Sequence, residues 1–412
     1  MESSLFRSGV EIEQILDADF KRIAVLENLQ ASFESFLSIE SFTEVDKALY
    51  NVSVVTAQEA LSRYEPIEIS NEASVIDTIK QIIAAIGRAI GQIFKRITSF
   101  LTNLLSDVSI ERKRIYWYKM KIDEYRGRFP RQNEVKLSYS TAMRVSTEKG
   151  FPETADVLHL SYSEALKQLK AIRTHYVPRV KKIGHDLQSV LTNRGDSLDQ
   201  WLENLNTVAG QYNVNYFAHL MSSARPMPDV EVRIEGVENV PRDAVLVGPM
   251  LPGQRSLTFT DGVKVHSGKP MASPVDRANA LQSSNVRLAK IRTGREIRTD
   301  EKMRVMSLSQ MEQFLDLITS ILDEIEEGTR TRVGEDLRND GQLFRQAMEK
   351  SFTGSWQDVD GDTRQTTIRR ALGYGVTYSE WTSRPYLELL GHCFHAAAAG
   401  ISVVGSHLRA YA

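Results

Sequence analysis

The sequence predicts a mainly α fold: a multi-helix bundle body carrying a small β-rich insertion, preceded by a helical acidic N-terminal segment. Three observations predict it. Ile79, Ile83, Ile86, Ile90, Ile93, Ile97, Phe100 and Leu104 recur in alternating steps of four and three, which places them on one face of a helix over Ser74–Asp107. Stretches with the same period lie on both sides of it. Between residues 224 and 270 the texture changes to Pro, Gly and β-branched residues in short alternating runs, as strands and turns require.

A chain of 412 residues has room for two or three domains. The division we expect is an acidic segment over 1–72, the long helix with a basic bundle over 73–223, the β-rich insertion over 224–275 and a C-terminal helical region over 276–412. Hydrophobic content of 42% and charged content of 25% are ordinary for a soluble globular protein. The single cysteine, Cys393, excludes an internal disulfide. The acidic opening MESSLFRSGVEIEQ lacks the apolar run of a secretory signal. Lys80, Arg88, Lys95 and Arg96 interrupt the long helix, so no membrane span is expected there. The net charge of −2 is unevenly divided: residues 1–72 carry 14 acidic and 5 basic side chains, a net of −9, which leaves about +7 on the rest (−2 minus −9).

In chain order, residues 10–37 read as an amphipathic helix through Ile12, Leu16, Phe20, Ile23, Leu26, Phe33 and Phe36, and a second helix follows over about 43–64. Pro66 and the extended Ile67–Ser70 break the pattern before the long helix. After Asp107 the composition shifts. Residues 111–131, ERKRIYWYKMKIDEYRGRFPR, hold eight basic and three acidic side chains with Tyr116, Trp117, Tyr118, Tyr125 and Phe129 among them. Arg112, Lys113, Arg114, Lys119, Lys121, Arg126, Arg128 and Arg131 are therefore candidate phosphate contacts, with aromatic rings able to stack on bases. The plainer alternative is a helix whose aromatic side packs inward while the cations stay solvated.

A helical region over 154–191, bent near Pro178, and another over 198–222 are expected to pair as a hairpin joined at 193–196. In the insertion, strands are expected at Val230–Ile234, Ala244–Val247, Leu257–Phe259 and Val263–His266, with a tight hairpin at Thr260-Asp261-Gly262. Residues 271–304 read as loop-rich. Ser309 to Glu312 has capping-box spacing and opens a helix through Phe314, Leu317, Ile318, Ile321, Leu322 and Ile325. A helix over about 334–351 follows. Gly373-Tyr374-Gly375 reads as a helix-breaking turn, and an apolar helix starts at Pro385, with Gly391, Gly400 and Gly405 placed for close approach by another helix.

Catalytic and metal-binding signatures fail on spacing. His392, Cys393 and His395 match no standard zinc pattern. Asp358, Asp360 and Asp362 around Gly361 resemble a calcium loop, but the glycine is misplaced and position twelve is Arg369, where a bidentate Glu is needed. Neither a Walker sequence nor a dinucleotide fingerprint is present. No catalytic residue, cofactor or metal is expected.

Ser70-Asn71-Glu72-Ala73 has a small residue, any residue and Glu ahead of a scissile bond, and Ser38-Ile39-Glu40 repeats the pattern. These residues look like prohead protease sites in head proteins of giant phiKZ-type tailed bacteriophages. An acidic leader, an Ile-rich helix, a basic helical body with a β stretch containing Leu251-Pro252-Gly253, and further helices follow in an order that resembles the internal head proteins of such phages. The resemblance implies a non-enzymatic virion structural protein inside the capsid, present in the host cytoplasm during assembly. It implies other head proteins, packaged DNA held without sequence preference, and the prohead protease as partners. An acidic propeptide would keep the basic body neutral until its removal. The second expectation is a membrane-active protein that lays the isoleucine stripe in lipid.

Overall fold

The computed structural model describes residues 44–62, 64, 74–147, 150–192, 197–220, 225–226, 233–234, 240–266, 271–292, 301–330 and 361–412, with seven further positions between 22 and 36. The expected helix over 334–351, the hairpin joint at 193–196 and the residues Asp358 and Asp360 lie outside the described residues.

Helix α1 spans Glu44–Leu61. Helix α2, Val75–Glu124, is 50 residues long, about 75 Å at 1.5 Å per residue. Ser74 caps it, its hydroxyl accepting from the Asp77 N–H at 3.1 Å. The sequence places a boundary at Asp107, where composition changes, but α2 runs straight through it. Helical period is kept on both sides: Leu101, Leu104, Val108, Ile115 and Ile122 continue the buried face. The stripe is also wider than a strict heptad seam. Ile82, Ala85 and Ala89 are buried beside Ile79, Ile86, Ile90 and Ile93, while Ile83 is only half-buried.

The first half of α2 carries the N-terminal segment. Leu26, Leu29, Phe33 and Phe36, at helical spacing, join Ala57 and Leu61 of α1 in the same continuous apolar core. Phe33, Phe36 and Tyr50 meet edge to face, with centroids 5.8–6.4 Å apart. The Arg96 guanidinium donates to the Tyr64 hydroxyl at 3.2 Å.

Strand β1, Glu134–Lys136, pairs antiparallel with the distant β7, Lys302–Arg304. Helices α3 (Tyr139–Val145) and α4 (Ala155–Ala171) follow. A π-turn over Ile172–Tyr176 leads into α5, Val177–Thr192. It falls just before Pro178, whose missing N–H and ring disfavour regular α bonding to the preceding turn. α6 (Leu198–Ala209) packs on α5 as the hairpin expectation requires, and a turn at 210–213 interrupts the helix before α7, Val214–Leu220.

The small sheet differs from expectation in three places. It has five antiparallel strands in the order β2 (Arg225–Pro226), β4 (Val245–Val247), β5 (Arg255–Thr260), β6 (Asn285–Arg292) and β3 (Arg233–Ile234). Its longest strand, β6, comes from the stretch read as loop. That stretch also holds α9, Pro274–Gln282, with a Ser273/Asp276 capping box. No hairpin forms at Asp261-Gly262. The Asp261 carboxylate accepts from the N–H groups of Val263 and Lys264 and starts the short helix α8, Gly262–Val265, where a strand was expected. Both sheet faces are covered. Leu246, Leu257, Phe259, Val286 and Leu288 face the main core, and Val245, Val247, Ala289 and Ile291 form a small second cluster.

α10 spans Leu308–Arg330. Its capping box sits two residues before the predicted one. The Gln310 N–H donates to the Ser307 hydroxyl at 3.2 Å, and the Gln310 side chain accepts from the Ser307 N–H at 2.9 Å. α11, Gly361–Leu408, is one helix of 48 residues. It passes through both predicted interruptions, Gly373–Gly375 and Pro385. Pro385 has no N–H for the carbonyl of Trp381, and the Tyr176 hydroxyl supplies the missing donor at 2.7 Å. Tyr212 stacks on Trp381 at 3.9 Å, and the Trp381 indole donates to the carbonyl of Ser284 at 2.7 Å. The expected close approach at the C-terminal glycines is present. A Cβ on Gly400 would meet Ile318 at 2.8 Å, and one on Gly405 would overlap the Tyr118 hydroxyl.

Candidate functional site

The candidate phosphate-contact residues occupy the second half of α2 and the turn after it. α10 lies antiparallel along this half and α11 parallel to it: Phe100 lies beside Gly391, Arg114 reaches Ser402 at 3.3 Å, and Tyr118 touches Gly405. Burying Ile115 and Ile122 fixes the rotation of the helix, and the rotation decides where each cation points.

Five of the eight cations are taken up by carboxylates. Arg112 bridges Asp323 and Glu326, both at 2.6 Å, and Lys119 reaches Asp316 at 2.5 Å. Arg126 pairs with Asp123 at 2.7 Å and with Glu312 at 3.4 Å. Thus the seven-residue spacing of 112, 119 and 126 meets an acidic stripe on α10. Arg114 grips Glu111 with two bonds of 2.8 Å. Burial pushes the Glu111 carboxyl above its ordinary value, with the Arg114 charge pulling the other way. Lys121 holds Glu124 at 2.6 Å, and that hydrogen bond raises the lysine and lowers the glutamate. The pairs of Arg114 and Lys121 lie within α2, whereas those of Arg112, Lys119 and Arg126 cross to α10 and set the register of the two helices.

Lys113, Arg128 and Arg131 form no ion pair among the described residues. Arg128 instead lies over the Tyr125 ring, 4.8 Å from its centre. The aromatics divide. Tyr118 and Tyr125 pack partly inward, whereas Tyr116, Trp117 and Phe129 are 69%, 53% and 89% exposed. This is neither of the two arrangements read from the sequence. Many cations are neutralised, and three rings point outward.

The acidic partners Glu312, Asp316, Asp323 and Glu326 were missed in the sequence. Their spacing of four, seven and three on one face of α10 was the available signal. Both candidate processing stretches, Ser70–Ala73 and Ser38–Glu40, lie outside the described residues; the helical cap at Ser74 begins immediately after the first.

The family profile of phiKZ-like phage internal head proteins matches residues 9–406. The chain belongs to that family. No curated protein and no solved structure matches the chain. The family places this internal head protein within the capsid and makes it a structural component associated with other head components.

Two of the remaining chemical candidates make structural contacts or are buried. The His392 ring is bonded to the carbonyl of Pro252 at 2.9 Å, so it docks the Leu251-Pro252-Gly253 turn on α11. Gly253 takes a φ of +76° there, and its N–H donates to the carbonyl of Ser146 at 2.8 Å. Cys393 is fully buried, and burial raises its thiol well above the ordinary range. Among the described residues no three His, Cys, Asp or Glu side chains gather as metal ligands. One segment, Gly373–Leu408, is long and apolar enough to cross a membrane, and 83% of its apolar window is buried inside the fold.

Proposed function

We propose that this internal head protein is made with an acidic leader that a prohead protease removes after Glu72, and that the remaining body, without catalytic activity, touches packaged DNA weakly and without sequence preference. The observation that carries the reading is the charge partition: −9 over residues 1–72 against about +7 over the rest (−2 minus −9), in a chain of this family. Lys113, Arg128 and Arg131 are the cations of the basic stretch left for phosphate. Three such contacts give a log–log salt dependence with a slope of roughly −3 on duplex DNA.

Two measurements test it. Protein extracted from purified particles should begin at Ala73; an intact N-terminus removes the processing step. Binding of that protein to duplex DNA should weaken with the stated slope, and binding indifferent to salt removes the DNA step. The membrane alternative has less to rest on in the unprocessed chain, because the isoleucine face of α2 is there turned into the core.

A further inference from the structure

We propose that the outward face of the second half of α2 is a self-complementary docking surface for a second copy of this chain, paired antiparallel about a two-fold axis. The inference requires neither leader removal nor DNA. It starts from an anomaly. Ile110, Tyr116, Trp117 and Met120 are 45%, 69%, 53% and 54% exposed, next to one another on the side of α2 opposite its buried face. Spacings of three and four link Ile110, Lys113, Trp117, Met120 and Glu124, so the patch is a straight stripe along the helix.

The charges on the stripe choose the occupant. The stripe has Lys113 toward one end and Glu124 toward the other, with the apolar side chains between. In an antiparallel pair centred between Tyr118 and Lys119, Lys113 of each copy faces Glu124 of the other, and these contacts occur twice. The same register sets Trp117 against Met120, a favourable sulfur–aromatic contact. A two-fold interface requires such pairing of unlike positions. Nucleic acid fits this stripe less well, since Glu124 lies along it. The patch offers about eight side chains a side against the roughly 20–30 of a standard interface, so the dimer is expected to be weak, with Kd on the order of micromolar or higher.

Sedimentation equilibrium of the full chain over roughly 1–100 μM tests this. We expect a monomer–dimer equilibrium that weakens as salt rises. Trp117→Lys should raise Kd at least about tenfold, as should Lys113→Glu and Glu124→Lys separately. The double reversal Lys113→Glu with Glu124→Lys should bring Kd back to within about threefold of the parent. All three positions are exposed or solvent-facing, and unchanged circular dichroism checks the fold; if Trp117→Lys does not fold, the charge-reversal set decides alone. A chain that stays monomeric throughout overturns the proposal, as does a dimer indifferent to these changes or a double reversal that fails to restore it. Loss of DNA binding in Trp117→Lys with association unchanged also overturns it, and assigns the face to nucleic acid.

Discussion

The two halves of α2 belong to one unbroken helix but are attached to the protein by different physics. The first half is held by apolar burial: Ile79, Ile82, Ile86, Ile90 and Ile93 share a core with Phe33, Phe36 and Leu61 of the acidic segment. The second half has a narrower buried face, Val108, Ile115 and Ile122, and is indexed by a ladder of ion pairs to α10 and by two glycines of α11. Burial is strong and tolerant of small displacement. Paired charges are weak, but they specify register. The difference assigns the two halves different parts. Removal of the leader would uncover the first half, whereas the second would stay clamped.

The largest effect should come from the first half. Ile86→Ala removes a fully buried side chain from the apolar core that the first half of α2 shares with the N-terminal segment. We expect a loss of about 2–4 kcal/mol, read as a shift of the urea midpoint. A loss below about 1 kcal/mol would mean that the leader is only loosely laid on the helix. The contrast between the halves would then fail.

The next effect belongs to the frame that clamps the second half. His407 is fully buried near the end of α11, its Nδ1 accepting from the Met306 N–H at 3.1 Å. Burial disfavours the imidazolium and lowers its pKa from 6.5 to about 4. A depressed folded-state value means that the stabilisation is complete above about pH 6.5 and is lost as pH falls toward about 4. Between about pH 7.5 and about pH 5 this single group should cost about 2 kcal/mol. His407→Gln should lose that much less than the parent over the same interval; equal losses would place the acid sensitivity elsewhere.

A smaller change probes the support of α11. Tyr176→Phe leaves the Trp381 carbonyl, already deprived of its helical donor by Pro385, without the 2.7 Å bond it now receives. The expected cost is about 1–3 kcal/mol in the urea midpoint. An unchanged midpoint would show that water replaces the hydroxyl.

That carbonyl also explains what the sequence concealed. Helix existence along α2 and α10 was legible, because period and burial agree there. The continuity of α11 was not, since the donor that serves the carbonyl freed by Pro385 is Tyr176 on the π-turn, 205 residues from Trp381. Strand β6 was hidden for a related reason. Lys290, Arg287 and Arg292 make it look like loop, and only pairing with β5 and cover from α11 make it a strand. Asp261-Gly262 was ambiguous between hairpin and helix cap, and tertiary packing chose the cap. In the basic stretch the residue types were read correctly, but their pairing was not. An acidic face some 200 residues downstream cannot be assigned to Arg112 and Lys119 until the two helices are known to lie side by side.

The smallest predicted effect tests that pairing. Lys119→Ala removes one rung of the ladder, a 2.5 Å contact to Asp316 whose two side chains are 37% and 60% exposed. Solvent at such exposure leaves about 0–1 kcal/mol for the pair, so the urea midpoint should scarcely move. The ladder's task is register, and register needs a different reading. In a double-mutant cycle with Asp316→Ala, the coupling should be a few tenths of a kcal/mol at low salt and vanish near 1 M, where the screening length is about 3 Å. The same cycle on Lys121 and Glu124, a pair within one helix that joins no two elements, should likewise lose any coupling at high salt. Removal of Arg112, Lys119 and Arg126 together should alter the fluorescence of Trp117. If the triple variant leaves both stability and Trp117 emission unchanged, then Ile115, Ile122 and the glycine contacts of α11 suffice to fix the second half. The two halves would then differ only in how much apolar surface they bury.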